Sequence, residues 1–181
     1  ARDCGVSAKT VENYYQILVD TLLGYFIPPY HKKIKRDILS KTPKFYLFDT
    51  GISNYLSKRN INTLSGIPAG EAFEQFILME LISYKHLMKK RFDITYWRTI
   101  SGLEVDFILG DAEIALEIKI TKTARKQDLK GLIAFCEEHK PKKAIVISQD
   151  EKPRKLILAN NIIIDILPWK IFLTKLWLNE I

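Results

Sequence analysis

The sequence predicts a mixed α/β protein. Two neighbouring segments, residues 103–109 and 114–120, alternate in side-chain character with the period of two that β-strands have. Residues 71–88 instead carry apolar side chains at spacings of three and four, which is the helical period. Hydrophobic residues make up 47% of the 181-residue chain, enough for a buried core. We therefore expect helices packed on a sheet.

The first part of the chain, residues 1–57, predicts a small N-terminal module. It opens as the end of one helix, a glycine turn and a second helix capped by Ser7. Helical spacing predicts one buried face on this second helix, made of Val11, Tyr14, Tyr15, Leu18, Leu22 and Leu23. The arrangement resembles the helix-turn-helix of a winged-helix module, and the resemblance implies that Ala8, Lys9, Asn13 and Gln16 face outward toward DNA. A packing or linker role is an equally open alternative.

Two short strands, at residues 26–30 and 44–48, are predicted to form the wing, with a basic loop between them. Asp49 follows and is predicted to cap a helix or form a turn; a catalytic role is the less favoured alternative. A short helix is predicted at residues 52–56. Residues 58–69 then predict a connector because they contain glycine and proline.

The second unit, residues 70–181, contains the remaining predicted elements and no internal repeat. These elements are a helix at 71–88, strands at 92–99, 103–109 and 113–120, a helix at 123–139, strands at 143–148 and 162–166, and a helix at 169–178.

The strands at 103–109 and 113–120 contain acidic residues in an unusual pattern. Regular alternation predicts that Leu103, Val105, Phe107 and Leu109 share one side and Glu104, Asp106 and Ile108 the other. A hairpin loop of Gly110-Asp111 would set Glu104 opposite Glu117, whereas a loop of Asp111-Ala112 would set Asp106 opposite Glu117. Either register leaves Asp106, Glu117 and Lys119 on one face.

Carboxylates on opposed strand positions lie close enough to share one cation. Their Cβ atoms are about 5 Å apart, and a hard cation takes oxygen ligands at roughly 2.1 Å. Without a cation the two charges would repel each other. The competing interpretation is that Glu117 and Lys119 form the solvated side of an amphipathic strand, and for an isolated Glu-x-Lys that interpretation is favoured.

Three sequence segments together resemble the PD-(D/E)xK nuclease superfamily: residues 70–77, Glu-Val-Asp-Phe at 104–107 and Glu-Ile-Lys at 117–119. The resemblance implies a restriction-endonuclease-like core in the order α-β-β-β-α-β. It also implies a catalytic site made of Glu74, Asp106, Glu117 and Lys119.

The same resemblance assigns roles within this site. Asp106, Glu117 and Glu74 would bind Mg²⁺ or Mn²⁺, with the carbonyl of Ile118 as a further oxygen ligand, because all-oxygen ligation favours these ions over zinc. Lys119 would orient the attacking water, lower its pKa or hold the scissile phosphate. Glu80 is an alternative to Glu74, which the family pattern favours.

The match is closer to one branch, a family of unknown function found at the C-terminal end of bacterial and archaeal AAA-type ATPases. Residues 43–51, 96–99 and 168–173 carry this similarity. It implies that the chain, which begins at Ala1 without Met, is a C-terminal fragment whose partner is the ATPase domain of the same polypeptide. No Gly-x-x-x-x-Gly-Lys-Ser/Thr occurs, so the motor is not in this segment.

A net charge of +7 favours a polyanionic partner. The resemblance to nucleases implies that this partner is nucleic acid, with DNA preferred and RNA left open as the alternative. The residues expected to contact phosphates are Arg98, Lys122, Arg125, Lys126, Lys32 and Lys33. A solvated helix face or ordinary surface positions are the open alternatives for them.

Several classes are excluded or disfavoured by the sequence. Cys4 and Cys136 stand far apart without a Cys-x-x-Cys, which disfavours a disulfide framework or a zinc site. Apolar runs are too short for a membrane span and no signal peptide opens the chain, so a cytoplasmic protein is expected. A homo-oligomer is compatible with the sequence. Two functions are carried forward: a metal-dependent nuclease, or a catalytically silent nuclease-like module that docks nucleic acid or protein.

Overall fold

A computed structural model describes residues 5–32, 42–63, 65–158 and 161–181. The elements are α1 Ala8–Asp20, β1 Gly24–Ile27, β2 Lys44–Leu47, α2 Thr50–Leu56, α3 Gly66–Leu87, β3 Ile94–Arg98, β4 Glu104–Leu109, β5 Ile114–Lys119, α4 Lys130–His139, β6 Lys143–Ser148, β7 Arg154–Ile157, β8 Ile163–Pro168 and α5 Trp169–Trp177. The mixed α/β class is confirmed, and α3-β3-β4-β5-α4-β6 follows the predicted series. The first helix predicted at residues 1–4, with Cys4, lies outside the described residues, as does most of the basic loop between β1 and β2.

The larger sheet has the strand order β3-β4-β5-β6-β8-β7. Strands β3, β4 and β5 are antiparallel neighbours, whereas β6 runs parallel to both β5 and β8. Strand β7 pairs antiparallel with β8 at one edge and was missed by the sequence analysis. Helices α3 and α5 pack on one face around residues such as Leu81 and Phe172, and α4 packs on the other around Phe135.

The opposite edge of this sheet, at β3, is covered by a short segment of the N-terminal module. The amide of Tyr30 donates to the carbonyl of Tyr96 at 2.6 Å, and the amide of Tyr96 donates to the carbonyl of Pro28 at 3.1 Å. The predicted first wing strand therefore ends earlier than expected, at Ile27, because the next residues pair with β3 instead of β2.

Strand β4 contains a β-bulge that breaks the predicted alternation. Thr95 pairs with Ile108 and Trp97 with Val105, so Asp106 and Phe107 together oppose the single residue between Thr95 and Trp97. As a result Val105 packs in the α4-side core and Phe107 in the α3-side core. The prediction that these two residues share one side is wrong, because the bulge adds one residue to the strand.

The N-terminal module differs from the prediction in its first helix. Helix α1 is capped by the Ser7 side chain as expected, but it has no buried residue. Leu22 has a left-handed backbone and lies beyond the helix, 70% exposed. The predicted buried face is wrong within this chain, and the antiparallel hairpin of β1 and β2 is confirmed with shifted bounds.

Two helix starts also differ from the sequence prediction. Helix α3 begins at Gly66, inside the predicted connector, because a proline is tolerated in the first turn of a helix. Before α4 the chain forms a 3₁₀ turn, Lys126–Leu129, in which the Asp128 carboxylate accepts the amide of Arg125 at 3.0 Å. Asp49 caps α2 by accepting the amide of Ile52 at 2.8 Å, as predicted.

Helix α4 approaches β4 so closely that only glycine fits at the contact. A Cβ atom on Gly131 would lie 1.8 Å from the carbonyl oxygen of Glu104. The backbone of β4 next to Asp106 is therefore held from behind by the first turn of α4.

Gly131→Ala is expected to lower the free energy of unfolding by at least about 2 kcal/mol, because α4 must move away from β4. Gly70→Ala is the matched control, since its Cβ would meet Ile120 at an ordinary 3.7 Å. That helical substitution is expected to stabilise by about 0.5–1 kcal/mol. Urea denaturation of both variants checks the difference in sign, and equal effects would contradict the close contact.

Candidate functional site

The candidate site begins where β4 and β5 part. Their ladder ends at the pair Phe107 and Leu116, and beyond it the Asp106 carboxylate accepts the amide of Ile118 at 2.7 Å. Continuing the observed pairing by one residue sets Asp106 opposite Glu117, which is the second of the two predicted registers. The bulge thus directs the Asp106 side chain at the backbone of β5.

Glu117 and Lys119 form an ion pair next to Asp106. Glu117 is only 5% exposed, and its Oε1 lies 2.6 Å from the Lys119 ammonium. Its other oxygen, Oε2, is buried without a hydrogen-bond partner. An unsatisfied buried carboxylate oxygen is costly, and a bound cation would satisfy it.

Glu74 comes from α3, as expected, but its closest partners were missed by the sequence analysis. The Tyr46 hydroxyl donates a hydrogen bond to Glu74, and the Lys44 ammonium lies 3.2 Å from the same carboxylate. Both partners lie on one side of β2, in the N-terminal module. Glu80, the alternative to Glu74, instead accepts the indole N–H of Trp177 at 3.0 Å.

Glu104 joins the same cluster. Its carboxylate lies 2.5 Å from Lys44 and 3.6 Å from the Nε of Arg98. The site therefore combines four carboxylates, Glu74, Glu104, Asp106 and Glu117, with three cations, Lys44, Arg98 and Lys119. These cations oppose the repulsion expected between the carboxylates.

The proximity of the acidic groups affects their protonation. Burial, and then the charges of Glu117 and Glu74, raise the pKa of Asp106 well above its ordinary value. Burial raises the pKa of Glu117 to about 7, although Lys119 opposes this shift.

The partners on β2 are held in fixed protonation states. Burial alone would lower the pKa of Lys44, but the charges of Glu74 and Glu104 outweigh it and raise that pKa above its ordinary value. Burial and the charge of Glu74 raise the pKa of Tyr46. Lys44 therefore stays charged at neutral pH, and Tyr46 stays a hydrogen-bond donor.

The donor set partly fits a hard divalent ion. Among the residues described, no three His, Cys, Asp or Glu side chains form a ready set of metal ligands. Asp106, the unpartnered oxygen of Glu117 and the carbonyl of Ile118 are nevertheless oxygen donors of the kind that Mg²⁺ and Mn²⁺ prefer. Glu74 is bound to Tyr46 and Lys44 instead of standing free as a third ligand.

The residues expected to contact phosphates differ in their surroundings. Lys122, Arg125 and Lys126 are exposed, and no ion pair is found for them in the described parts of the chain. Arg98 pairs with Glu104, and Lys32 pairs with Asp111 at 3.1 Å. Lys33 lies outside the described residues.

The loop that carries these three cations is anchored beside the site. Asp150, at the end of β6, accepts the amide of Ala124 at 3.0 Å and the Ser148 hydroxyl at 2.7 Å. Arg154 in turn donates to Asp150 at 2.9 Å. The chain is thus held in place soon after it leaves Lys119.

Comparison with protein families places this site in a known group of sequences. Residues 69–172, more than half of the chain, match the family described as "Domain of unknown function (DUF4143)". The chain belongs to this family. Residues 1–63 match a second family, "Domain of unknown function (DUF8612)". No curated protein and no solved structure matches the chain.

The candidate site spans both matches. Glu74, Asp106, Glu117 and Lys119 lie in the DUF4143 part, whereas Lys44 and Tyr46 lie in the DUF8612 part. Within the described residues no helix is long and apolar enough to cross a membrane.

The free energy of unfolding in EDTA is expected to fall by about 2 kcal/mol as the pH rises from about 4.5 to about 7. Because folding raises the pKa of Glu117, the folded state binds more protons than the unfolded state in this pH window. The resulting stabilisation is complete below about pH 4.5 and is lost as the pH rises through about 7. Asp106 acts in the same direction.

Chemical denaturation across this pH range checks the effect. Glu117→Gln should flatten the dependence, whereas Glu113→Gln, at an exposed turn residue, should keep it. A native chain whose stability rises across the window would contradict the buried acidic pair.

Proposed function

We propose that this DUF4143 protein is a divalent-metal-dependent nuclease that hydrolyses phosphodiester bonds in DNA. The observation that carries the proposal is the half-buried Asp106 beside Lys119 and the buried Glu117, with one oxygen of Glu117 left unpartnered. The similarity of the sequence to the PD-(D/E)xK pattern supports metal-dependent phosphodiester hydrolysis as well. That pattern needs two acidic groups and a lysine at one point of a strand pair, and this chain has them there.

The residues divide the chemical work. Asp106, Glu117 and the carbonyl of Ile118 would hold Mg²⁺ or Mn²⁺, which supplies charge neutralisation at the phosphate. Lys119 is held by Glu117 and can bind a phosphate oxygen or orient the attacking water. The charge of Glu74 adds to the rise in the pKa of Asp106. The Glu74 carboxylate is itself bound to Lys44 and Tyr46, so it is not a free metal ligand.

The exposed cations indicate from which side DNA would approach. Lys122, Arg125 and Lys126 follow Lys119 in the chain and have no acidic partner in the described regions, so they are free to neutralise phosphates. Helix α1 is less suited to this task. Its single lysine, Lys9, pairs with Glu12, and the helix also carries Asp20.

We also propose that the domain works beside an AAA-type ATPase motor in the same polypeptide. This proposal rests on the similarity of residues 43–51, 96–99 and 168–173 to the family found at the end of such ATPases. A nuclease so placed would act where the motor moves or remodels DNA.

One observation favours a second function, a catalytically silent module that docks nucleic acid or protein. Lys44, Arg98 and Lys119 pair with Glu74, Glu104 and Glu117, so the cluster contains compensating positive charge of its own. The two functions differ in whether the carboxylates bind metal and whether DNA is cut.

Asp106→Ala is expected to lose Mg²⁺ and Mn²⁺ binding, because it removes one of the two carboxylates proposed to hold the ion. Lys119→Ala is expected to keep metal binding and lose at least about 100-fold in the rate of DNA cleavage. Isothermal calorimetry measures the first effect and nicking of supercoiled plasmid the second.

Lys142→Ala, an exposed lysine paired with Glu113, is the control for both assays and should behave like the native chain. Metal binding without cleavage by the native chain would support the silent module. Native metal binding no stronger than that of Asp106→Ala would overturn the metal site, and undiminished nicking by Lys119→Ala would overturn the role of the lysine.

The triple variant Lys122→Ala, Arg125→Ala, Lys126→Ala is expected to bind duplex DNA more weakly. Its affinity should also depend less on salt, with the slope of log affinity against log salt reduced by up to about three. Fluorescence anisotropy at several salt concentrations measures this slope. The matched control replaces three paired lysines, Lys142, Lys155 and Lys175, with alanine. An equal loss in the control would show that total charge decides binding, and not this surface.

A further inference from the structure

A lysine ammonium lies where the carboxylates of the site converge. Lys44 contacts Glu104 at 2.5 Å and Glu74 at 3.2 Å, and the charge of Asp106 also acts on it. The three acidic residues come from α3 and β4, whereas Lys44 comes from β2. A single positive charge thus bridges two elements of the core, as a divalent ion bound between carboxylates would do.

The position of this ammonium is fixed by its surroundings. The Lys44 side chain is 24% exposed, and its ammonium lies 5.2 Å from the centre of the Tyr96 ring. The Tyr46 hydroxyl, two residues along the same strand, binds Glu74 as well. Lys44 and Tyr46 therefore hold Glu74 from one side of β2.

Strand β2 is in turn attached to the core. The Gln75 side chain donates to the carbonyl of Leu47 at 2.7 Å, which ties the end of β2 to α3. Strand β1 pairs along the whole of β2. For Lys44 to leave the carboxylates, either its side chain must change rotamer or the β1–β2 hairpin must shift.

A separate observation indicates that the site can accept another cation. Glu117 is more than nine-tenths buried, and its Oε2 has no hydrogen-bond partner. Its charge is coupled to those of Glu104 and Glu74, so it lies in the same acidic group. The described residues contain no ready set of three metal ligands, and two of the nearby carboxylates, Glu74 and Glu104, are paired with Lys44.

We infer that Lys44 is a built-in competitor of the divalent metal ion for the carboxylates of the site. The inference rests on the proposed function, since it concerns the same metal. With Lys44 in place, Glu74 and Glu104 are paired with it, and the metal is left with Asp106 and the unpartnered oxygen of Glu117. When Lys44 leaves, Glu74 becomes available as a third carboxylate. The N-terminal β1–β2 hairpin thereby controls how tightly the DUF4143 part binds metal.

The test compares Mn²⁺ and Mg²⁺ binding by isothermal calorimetry in the native chain, Lys44→Met, Lys44→Arg and Lys142→Met. Lys44→Met keeps the length of the side chain and removes its charge, and it is expected to bind metal at least about tenfold more tightly than the native chain. Lys44→Arg keeps the competing charge and should bind like the native chain. Lys142→Met removes a lysine from an ion pair away from the site and should also leave the affinity unchanged.

Adding Glu74→Gln to Lys44→Met tests whether the gain in metal affinity depends on the Glu74 carboxylate. The double variant should lose most of the gain, because the carboxylate released by Lys44→Met is then absent. Circular dichroism confirms that each variant folds. If Lys44→Met does not fold, Tyr46→Phe replaces it, since it removes the other hydrogen bond to Glu74 and should tighten metal binding by a smaller factor.

The outcomes separate this inference from the proposed function. Tighter binding by Lys44→Met, whether or not the native chain binds measurably, supports the competition. Native binding with an equal or weaker affinity in Lys44→Met overturns the competition and leaves the metal site standing. No binding by any variant overturns both.

Discussion

The β-bulge in β4 is the feature on which the rest of the site depends. One extra residue opposite Tyr96 turns Val105 into the core beneath α4 and Phe107 into the core beneath α3. Asp106, between them, then faces the backbone of β5 and binds Ile118 where the ladder ends. Helix α4 stabilises this distortion from behind, because Gly131 lets it rest directly on the backbone of β4.

The sequence was sufficient for the features that local periodicity determines. The order of helix, three strands, helix and strand follows from runs whose apolar spacing differs clearly, and β4, β5 and β6 lie close to their predicted bounds, whereas α3 begins earlier. The choice of loop residues left two strand registers possible, and the structure has the one that sets Asp106 opposite Glu117. The proximity of Asp106, Glu117 and Lys119 follows from that register and from the Glu-x-Lys spacing.

Other features depend on contacts that single-sequence patterns do not encode. The alternation of residues 103–109 does not reveal the bulge, because Val105 and Phe107 on either side of Asp106 are both apolar and both faces of the strand are buried. Lys44 and Tyr46 reach Glu74 from about 30 positions away in the chain, so their role depends on how the hairpin packs. A usable signal was present, since a lysine and a tyrosine alternate on one side of β2. The sequence pattern alone predicts only a wing strand next to a basic loop.

The short segment at residues 28–30 affects where this chain can be cut into separate domains. It exchanges two backbone hydrogen bonds with Tyr96, so it covers part of the β3 edge of the sheet. A polypeptide cut between the two family matches would leave β3 as an open edge with unpaired backbone groups. Self-association through that edge is then expected to compete with folding.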